Sequence, residues 1–378
     1  MRPEEAMRKA LARARQGAGR VHPNPAVGAV VVRGDRVLGA GRTQPPGGAH
    51  AERMALDAAR RRHGARAVRG ATLAVTLEPC NHTGRTPPCT EAILDAGIRR
   101  VWVGARDPHP LVRGRGFRRL RRGGVEVVGG VLEDACREHH RGFLAVHERG
   151  RPWVTLKLAA TLDGRLATAS GESRWITGAP ARERVHALRS GVDAVMVGSR
   201  TALRDDPELT ARRGGRVVHR PVRVVVDSRL TLPPTARMLR GADPGRTWLL
   251  ASRAAPARRR GALEAAGARV LPVRRRGDHL ALGAALERLG SEGLTTVLVE
   301  GGGVLAAALL RAGLVDELHW FAAPAWLGGD ARPALAELGI ARLAERVELD
   351  EPIVSRVGGD LYIRGRVRRR GARGRPRR

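Results

Sequence analysis

One imidazole and two thiols lie close together in the sequence, at His50, Cys80 and Cys89. These side chains can supply three ligands to a tetrahedral zinc ion, and a catalytic zinc keeps its fourth position open to water. Glu52 follows the histidine, and a carboxylate in that place can move the proton of a water molecule that zinc activates. The pattern therefore predicts a hydrolytic zinc site.

The order His-x-Glu, then Pro-Cys, then Cys resembles the signature of the zinc-dependent deaminases of bases and nucleosides, in which the glutamate shuttles protons. Eight residues separate Cys80 from Cys89, whereas two separate them in that signature. The insert ends in Pro87 and Pro88 and is otherwise polar, which predicts a rigid loop that can hold an anionic part of a small substrate. Each part alone has an ordinary alternative, because His-x-Glu occurs by chance and cysteines are often buried small hydrophobes.

Secondary structure must position these residues. Residues 72–77 are apolar and predict a buried strand that leads to Cys80. The two prolines predict the start of a helix that runs to about Gly97, with Cys89 in its first turn, where the helix dipole favours a thiolate. His50 and Glu52 are two residues apart and would not share a face within a helix, so we place them at a helix start.

The first 147 residues predict a zinc-dependent deaminase domain with a three-layer α/β fold. A helix is expected at residues 3–16, and strands at 27–32, 36–40, 73–77, 101–104 and 125–128, with helices from Cys89 and from Gly114. Glycines and a proline between His139 and Pro152 mark a domain boundary.

Residues 148–367 predict a second α/β domain. Strands are expected at 153–158, 194–197, 222–227, 248–251 and 296–300, helices at 180–189, 281–289 and 305–312, and surface connections at 241–245 and 254–260. Residues 364–378 form a Gly- and Arg-rich cluster without apolar periodicity, which predicts disorder, and we treat 368–378 as a tail outside the domain.

The second domain carries its own polar residues. Lys157 lies on a strand, Asp205-Asp206-Pro207 follows a strand and a short turn, and Glu300 precedes Gly301-Gly302-Gly303. A glycine-rich turn before a helix can bind phosphate, although three glycines after a strand are commonly a tight turn. Lysine is rare in this chain, so Lys157 is either a titratable proton donor with a role in the reaction or a lysine without a function.

The formal charge of +32 would ordinarily suggest a nucleic-acid partner. However, the basic residues are 67 arginines and two lysines spread along the whole chain, which indicates a compositional bias. With only ten aromatic residues, a stacking platform for single strands is poorly supplied. No apolar run approaches the ~20 residues of a membrane span, and the charged N-terminus has no signal-peptide core, so a cytoplasmic location is expected.

Many motifs in order resemble one family, the bifunctional deaminase and reductase of riboflavin biosynthesis. They are His22-Pro23-Asn24-Pro25, His50-Ala51-Glu52, Thr76-Leu77-Glu78-Pro79-Cys80, Gly84-Arg85-Thr86-Pro87-Pro88-Cys89, Asp107-Pro108, Lys157-Leu158-Ala159, Leu162-Asp163-Gly164, Ser173-Arg174-Trp175, Asp205-Asp206-Pro207-Glu208-Leu209-Thr210, Asp227-Ser228 and Glu300-Gly301-Gly302. The resemblance covers residues 4–366. It implies a cytidine-deaminase-like domain followed by a dihydrofolate-reductase-like domain.

The resemblance also implies two reactions on a pyrimidine ribosylamine 5′-phosphate: hydrolytic deamination with zinc, then NADPH-dependent reduction of the ribosyl chain to ribityl. His50, Cys80 and Cys89 would bind one zinc ion and Glu52 would shuttle the proton. The substrate-binding residues would be Asn24, Arg85, Ser173, Arg189, Leu209, Arg212 and Glu300. The NADPH-binding residues would be Ala159, Trp175, Thr201, Asp205, Ser228, Gly302, Gly303, Val304, Leu305, Ala306, Ala307 and Ala308. Lys157 is a candidate proton relay, and self-association is expected.

The sequence departs from the family pattern at Thr43, where a histidine is usual, and at Gly47-Gly48-Ala49, where the family usually has Gly-Glu-Pro before the metal histidine. These changes remove one possible contact to the substrate ring. A deaminase of bases in tRNA or DNA is the alternative function, but it assigns no role to the second domain. A non-enzymatic binding module assigns none to the zinc ligands.

Overall fold

The computed structural model describes residues 1–83, 87–110, 112–240, 243 and 245–368. The chain forms two compact units. Unit 1 contains Met1–Arg151 and Gly293–Thr295, and unit 2 contains Pro152–Glu292 and the residues from Thr296 onward. Among the described residues, no helix combines the length and the apolar character that crossing a membrane requires.

Unit 1 is built around a five-stranded sheet with the strand order β2-β1-β3-β4-β5. Its elements are α1 (Pro3–Arg15), β1 (Gly28–Arg33), β2 (Arg36–Arg42), α2 (Ala51–His63), α3 (Ala65–Val68), β3 (Thr72–Leu77), α4 (Cys89–Asp95), β4 (Arg100–Ala105), α5 (Arg115–Arg122), β5 (Glu126–Val128), α6 (Glu133–His139) and α7 (Arg141–Arg149). Strands β3, β4 and β5 are parallel, whereas β1 is antiparallel to both β2 and β3.

Glycines in the first hairpin let helices approach both faces of this sheet. A Cβ at Gly28 would clash with the carbonyl oxygen of Ala10 in α1, and one at Gly41 would clash with that of Ala51 in α2. Gly41 is paired with Ala29, the neighbour of Gly28. Because successive residues of a strand point to opposite faces, α1 and α2 cover opposite faces. The predicted three-layer α/β fold is therefore confirmed.

Unit 2 contains a nine-stranded sheet and helices between its parallel strands. Its elements are β6 (Trp153–Thr161), β7 (Arg165–Ala167), α8 (Ala179–Ser190), β8 (Ala194–Gly198), α9 (Ser199–Asp205), β9 (Ala211–Arg213), β10 (Arg216–His219), β11 (Val222–Val226), β12 (Thr247–Ser252), α10 (Ala257–Ala265), β13 (Ala268–Val273), β14 (Arg275–Arg276), β15 (His279–Leu280), α11 (Leu282–Ser291), β16 (Thr296–Glu300), α12 (Gly303–Arg311), β17 (Glu317–Ala323), β18 (Arg332–Pro333), β19 (Leu349–Val357) and β20 (Asp360–Val367). Short 3-10 helices lie at Arg237–Leu239 and Leu343–Glu345.

The large sheet has the strand order β13-β12-β11-β8-β16-β6-β17-β20-β19. The seven strands from β13 to β17 are parallel, and β20 and β19 are antiparallel additions. In an open parallel sheet, ligands bind beyond the carboxyl ends of the strands. The residues that follow β8, β11 and β16 therefore share one functional edge.

The structure corrects three local predictions. Residues 254–260 are not only a surface connection, because α10 starts at Ala257. Asp205 ends helix α9 instead of following a short turn. The basic cluster is ordered as far as β20, which pairs with β17 and β19, so disorder does not begin at Arg364. Residues 369–378 and residues 241, 242 and 244 of the expected connection lie outside the described residues.

Candidate active sites

Three side chains in unit 1 converge on one point, as the sequence predicts. His50 directly precedes α2, Cys80 follows β3 by three residues, and Cys89 is the first residue of α4. Their possible ligand atoms all lie within 4.8 Å of one another. A strand end and two helix starts thus bring together ligands that are 30 and 39 residues apart in the chain.

The distances among these atoms fit a zinc ion. Nδ1 of His50 lies 3.2 Å from Sγ of Cys89 and 3.6 Å from Sγ of Cys80. Zinc bonds of the usual lengths in tetrahedral geometry place nitrogen and sulfur ligands about 3.5 Å apart. The backbone N–H of Cys89 also donates to Sγ of Cys80 at 3.4 Å. The donor set and its spacing therefore both suit zinc.

The two thiols differ in acidity. Hydrogen bonds from the Cys89 thiol and from His50 lower the pKa of Cys80 to about 4. The pKa of Cys89 is raised, because its thiol provides the proton of the shared hydrogen bond and is buried. A zinc ion would displace this proton, since thiolates are the ligand form.

Glu52 lies beside the metal ligands on the wall of a cavity of about 470 Å³. It is in the first turn of α2, and only 4% of its surface is exposed. Burial is the main reason why the pKa of Glu52 is raised to about 7. A carboxyl group with such a pKa can accept and donate a proton near neutrality.

Further residues line this cavity, and no individual role was predicted for any of them. They are Glu78, His82, Asp107, His109, Phe143 and His147. Burial raises the pKa of Asp107 to about 7, and its Oδ1 accepts a hydrogen bond from the backbone N–H of His109 at 2.8 Å. The rings of His109 and His147 meet edge to face, with centroids 4.8 Å apart. Glu78, His82 and Asp107 stood in or beside the quoted motifs, but no spacing signal marks His109 or His147.

The structure describes one of the two predicted substrate-binding residues of unit 1. Asn24 lines the cavity, and Arg85 lies outside the described residues. Thr43 also lines the cavity. Its Oγ1 accepts a hydrogen bond from the backbone N–H of Val27 at 3.0 Å, so Thr43 links the residue after β2 to the residue before β1. A Cβ at Gly48 would lie 2.6 Å from Cβ of Gln44, so this loop conformation does not accommodate the glutamate that is usual in the family.

The polar residues of unit 2 form a second centre. Arg189 of α8 donates from Nε and Nη2 to the two carboxylate oxygens of Glu300, at 2.6 and 2.8 Å. Although burial opposes ionisation of Glu300, this contact and the nearby charge of Lys157 lower the pKa of Glu300. Burial lowers the pKa of Lys157, while Glu300 opposes that change. Lys157 pairs in register with Glu300 across β6 and β16.

The predicted cofactor turn adopts a geometry that needs glycine. Gly301 and Gly302 have φ angles of +86° and +68°. A Cβ at Gly301 would lie 2.8 Å from Cγ2 of Thr201, and one at Gly302 would lie 3.1 Å from its Oγ1. Thr201 thus packs on the turn that leads into α12. A backbone turn of this kind before a helix start fits the pyrophosphate of a dinucleotide.

The other predicted residues of unit 2 make separate contacts. Oγ of Ser173 accepts a hydrogen bond from Arg204 at 3.2 Å, and Arg204 forms an ion pair with Asp205 at 3.8 Å. Trp175 is 70% exposed, with the guanidinium of Arg182 over its ring at 4.6 Å.

Leu209 is buried and has a φ of +54°, a conformation that is costly for leucine. The neighbouring Arg212 forms an ion pair with Glu208. Ala159 lies in β6, Ser228 follows β11, and Gly303 to Ala308 lie in α12, with Val304 exposed.

Two family models match the chain. The cytidine and deoxycytidylate deaminase zinc-binding region matches residues 1–105, and the RibD C-terminal domain matches residues 152–361. The first match contains His50, Glu52, Cys80 and Cys89, and the second contains Lys157, Arg189 and Glu300.

Similar proteins match over nearly the whole chain. The riboflavin biosynthesis protein RibD of Bacillus amyloliquefaciens is 39% identical over 359 residues, which cover 94% of each protein. The structure of Acinetobacter baumannii RibD has a TM-score of 0.85 and 35% identity, and it covers 97% of this chain and 99% of the other. A deaminase/reductase from Thermotoga maritima has a TM-score of 0.82 and 33% identity, with coverages of 97% and 98%.

Proposed function

The chain belongs to the RibD family of riboflavin-biosynthesis proteins, and from this membership we propose a division of the two family reactions between its two units. Unit 1 deaminates 2,5-diamino-6-ribosylamino-4(3H)-pyrimidinone 5′-phosphate, replacing the 2-amino group by oxygen from water and releasing ammonia. Unit 2 then reduces the ribosyl chain to ribityl with NADPH. The Thermotoga maritima relative is named for a diaminohydroxyphosphoribosylaminopyrimidine deaminase and a 5-amino-6-(5-phosphoribosylamino)uracil reductase, which supports this assignment.

In unit 1, His50, Cys80 and Cys89 would hold zinc. Zinc bound there would supply Lewis-acid activation of water at neutral pH. Glu52 takes a proton from the water and gives a proton to the leaving amine, and burial keeps its pKa high enough for both transfers. Asn24, and Arg85 of the loop, would orient the pyrimidine and its anionic substituent.

In unit 2, Glu300 and Arg189 would bind the sugar hydroxyls and the phosphate. The hydrogen bonds between them fix both side chains before substrate arrives, which favours correct orientation of the sugar. Lys157 supplies the proton to the sugar oxygen as hydride reaches the adjacent carbon; its lowered pKa makes the ammonium a better acid. NADPH would lie along the functional edge of the sheet, on Thr201 and the turn at Gly302, and would supply the hydride.

The observation that carries the proposal is the convergence of His50, Cys80 and Cys89 beside Glu52 in one cavity. A zinc ion and a proton carrier at the same wall are what hydrolytic deamination requires. The test is turnover of the diaminopyrimidine phosphate, with ammonia release and NADPH oxidation followed together. We expect one ammonia and one oxidised NADPH per substrate, and ammonia release alone when NADPH is omitted.

A nucleic-acid deaminase would give a different result. It would release ammonia from tRNA or single-stranded DNA, would ignore the free nucleotide, and would leave NADPH unchanged. That outcome would overturn the proposal for both units.

We also infer a cytoplasmic location and self-association. None of the three cysteines forms a disulfide, which is usual in a reducing compartment. Light scattering at several protein concentrations would measure the mass of the assembly, and a single species of 40.6 kDa would contradict self-association.

A further inference from the structure

Unit 2 contains a buried polar group, Glu317, His319 and Tyr362, that has no part in the proposed reaction. All three residues are buried. A hydrogen bond of 2.7 Å joins the hydroxyl of Tyr362 to Nδ1 of His319. Polar side chains are costly to bury, and a network of them holds its members in one arrangement. The group therefore fixes the position of whatever packs against it.

The sheet places this group beside Lys157. His319 of β17 pairs in register with Lys157 of β6, and Glu300 of β16 pairs with Lys157 on its other side. Paired residues of neighbouring strands point to the same face of a sheet, and so do residues two apart on one strand. Glu317 and Phe321 therefore lie on the same face as His319. This face also carries the proposed proton donor.

Phe321 connects the buried group to Lys157. Nζ of Lys157 lies 5.9 Å from the centroid of the Phe321 ring, within the roughly 6 Å over which an aromatic face attracts a cation. The ring of Tyr362 packs against that of Phe321 with centroids 4.8 Å apart. Ala181 and Val185 of α8 complete the same buried cluster. The ammonium group thus contacts a ring whose place depends on Tyr362.

The hydroxyl of Tyr362 makes the firmest contact in the group. Nε2 of His319 lies 3.3 Å from Oε2 of Glu317 but lacks the alignment of a hydrogen bond. The 2.7 Å bond to Tyr362 therefore holds the imidazole more strongly. Burial raises the pKa of Tyr362, so the phenol keeps its proton and stays neutral. Tyr362 and His319 accordingly form a fixed pair.

We propose that Tyr362 and His319 are positioning residues of the reductase, which hold the Phe321 ring against the Lys157 ammonium and so direct its proton to the sugar oxygen. The inference rests on the proposed reduction, with Lys157 as its acid. Burial opposes a charged ammonium at Lys157. An aromatic face offsets part of that cost, and it offers no lone pair that would compete with the sugar oxygen for the proton.

The pH dependence of reduction is the property that this arrangement controls. Because the ring favours the charged ammonium, losing the ring lowers the pKa of Lys157. A reaction that needs the ammonium then fails at a lower pH. Other charged or titratable groups face this stack, and the variants that test the proposal leave all of them unchanged. They are Glu300 on β16, Glu317 and His319 on β17, Arg364 on β20, and Arg184, His186 and Arg189 on α8.

The measurement is kcat for NADPH oxidation as a function of pH, with full-length protein and the deaminated intermediate. Tyr362→Phe should lower kcat by roughly fivefold, the rate equivalent of one ordinary hydrogen bond, and move the alkaline limb of the profile to lower pH. Phe321→Leu should move that limb by about half a pH unit or more. The KM for NADPH should not change, which shows that unit 2 is folded.

A double variant tests whether Tyr362 acts through the ring. Once Phe321 is leucine, the hydroxyl of Tyr362 has no ring to hold, so adding Tyr362→Phe should cause no further loss. Additive losses in the double variant would overturn the route through Phe321. If Phe321→Leu loses NADPH binding, the pH profile of Tyr362→Phe alone decides the question.

Thr247→Val is the matched control, because it also removes a buried hydroxyl of unit 2, one that donates to the carbonyl oxygen of Met238 at 2.7 Å. Thr247 begins β12, which lies four strands from β6. This variant should lower the Tm as Tyr362→Phe does, yet keep kcat and the pH profile. A shifted alkaline limb in Thr247→Val would mark a general effect of destabilisation and would overturn the inference.

The wild-type protein separates this inference from the proposed function. Wild type that does not oxidise NADPH with the deaminated intermediate overturns both. Wild type that does so, with pH profiles unchanged in Tyr362→Phe and in Phe321→Leu, overturns the positioning role alone.

Discussion

The two candidate sites hold equally buried carboxyl groups in opposite electrostatic states. In unit 1, burial raises the pKa of Glu52 and of Asp107 to about 7. In unit 2, Glu300 is as deeply buried, yet Arg189 lowers its pKa through two hydrogen bonds and a full charge. Unit 2 thus balances its buried charge with its own side chains, whereas the site of unit 1 would gain its positive charge from the proposed zinc ion. This contrast predicts that the two units respond differently to the same kinds of change.

The largest expected effect is on metal binding. Cys80→Ser replaces a thiolate by a poor zinc ligand, so the variant should lose both zinc and deamination while it still oxidises NADPH with the deaminated intermediate. Elemental analysis measures the zinc content, and assays of ammonia release and of NADPH oxidation measure the two activities. Cys136→Ala is the control, because Cys136 is buried away from the metal ligands, and it should keep about one zinc per chain. Deamination by a zinc-free Cys80→Ser protein would contradict the site.

The converse change lies in unit 2. Lys157→Met keeps a side chain of similar length and removes the ammonium group, so NADPH oxidation should be abolished while zinc content and deamination persist. Lys9→Met is the control, because Lys9 is the only other lysine in the sequence. It lies on α1, where its Nζ is 3.7 Å from Oε1 of Glu5. Normal NADPH oxidation by Lys157→Met on the deaminated intermediate would show that the proton comes from another residue.

A smaller effect is expected from the proton carrier of unit 1. Glu52→Gln preserves size and zinc binding but cannot move a proton, so deamination should fall by on the order of a hundredfold or more. Reduction of the supplied intermediate should be unchanged. Asp57→Asn, on the same helix α2, should leave both rates intact. A near wild-type rate for Glu52→Gln would assign the shuttle elsewhere.

The smallest effect is a pH-dependent change in stability. The folded protein binds the Asp107 proton with a pKa of about 7, while the unfolded chain has the ordinary value of 3.8. The folded state therefore holds more protons between about pH 4 and pH 7, and the free energy of unfolding falls as pH rises through that window. Asp107→Asn removes this loss. Its Tm should equal that of the wild type near pH 4 and exceed it by a few degrees near pH 8, whereas a constant difference would contradict the assignment.

The sequence predicted the sites of the two units to different depths. The zinc ligands and Glu52 were predicted from type and order alone, because a strand end and two helix starts supply them within one short segment. The pair Arg189–Glu300 is separated by 111 residues, so only the fold brings the two together. The family resemblance had named both residues, but nothing in their local sequence indicated that they bind each other.

The fold was predicted best where hydrophobic runs are local. Strands such as β3 and β16 were predicted to within one residue, since each is a short apolar run that ends at a polar motif. Strands β17, β19 and β20 were not predicted. Strand β19 is almost entirely exposed, so its sequence lacks the apolar alternation that identifies a strand. It is a strand because it pairs with β20.

The place of β6 within the large sheet has a consequence for biosynthesis. This strand is the first of unit 2 to leave the ribosome, yet its neighbours β16 and β17 are translated last among the parallel strands. About 140 residues separate Trp153 from its partner Thr296, and at ordinary elongation rates of about 5 to 20 residues per second they take roughly 7 to 28 s to make. During that interval an apolar strand has both edges unpaired. Unit 2 should therefore fold late and depend on chaperones during its synthesis, whereas the sheet of unit 1 contains only contacts formed within its first 130 or so residues.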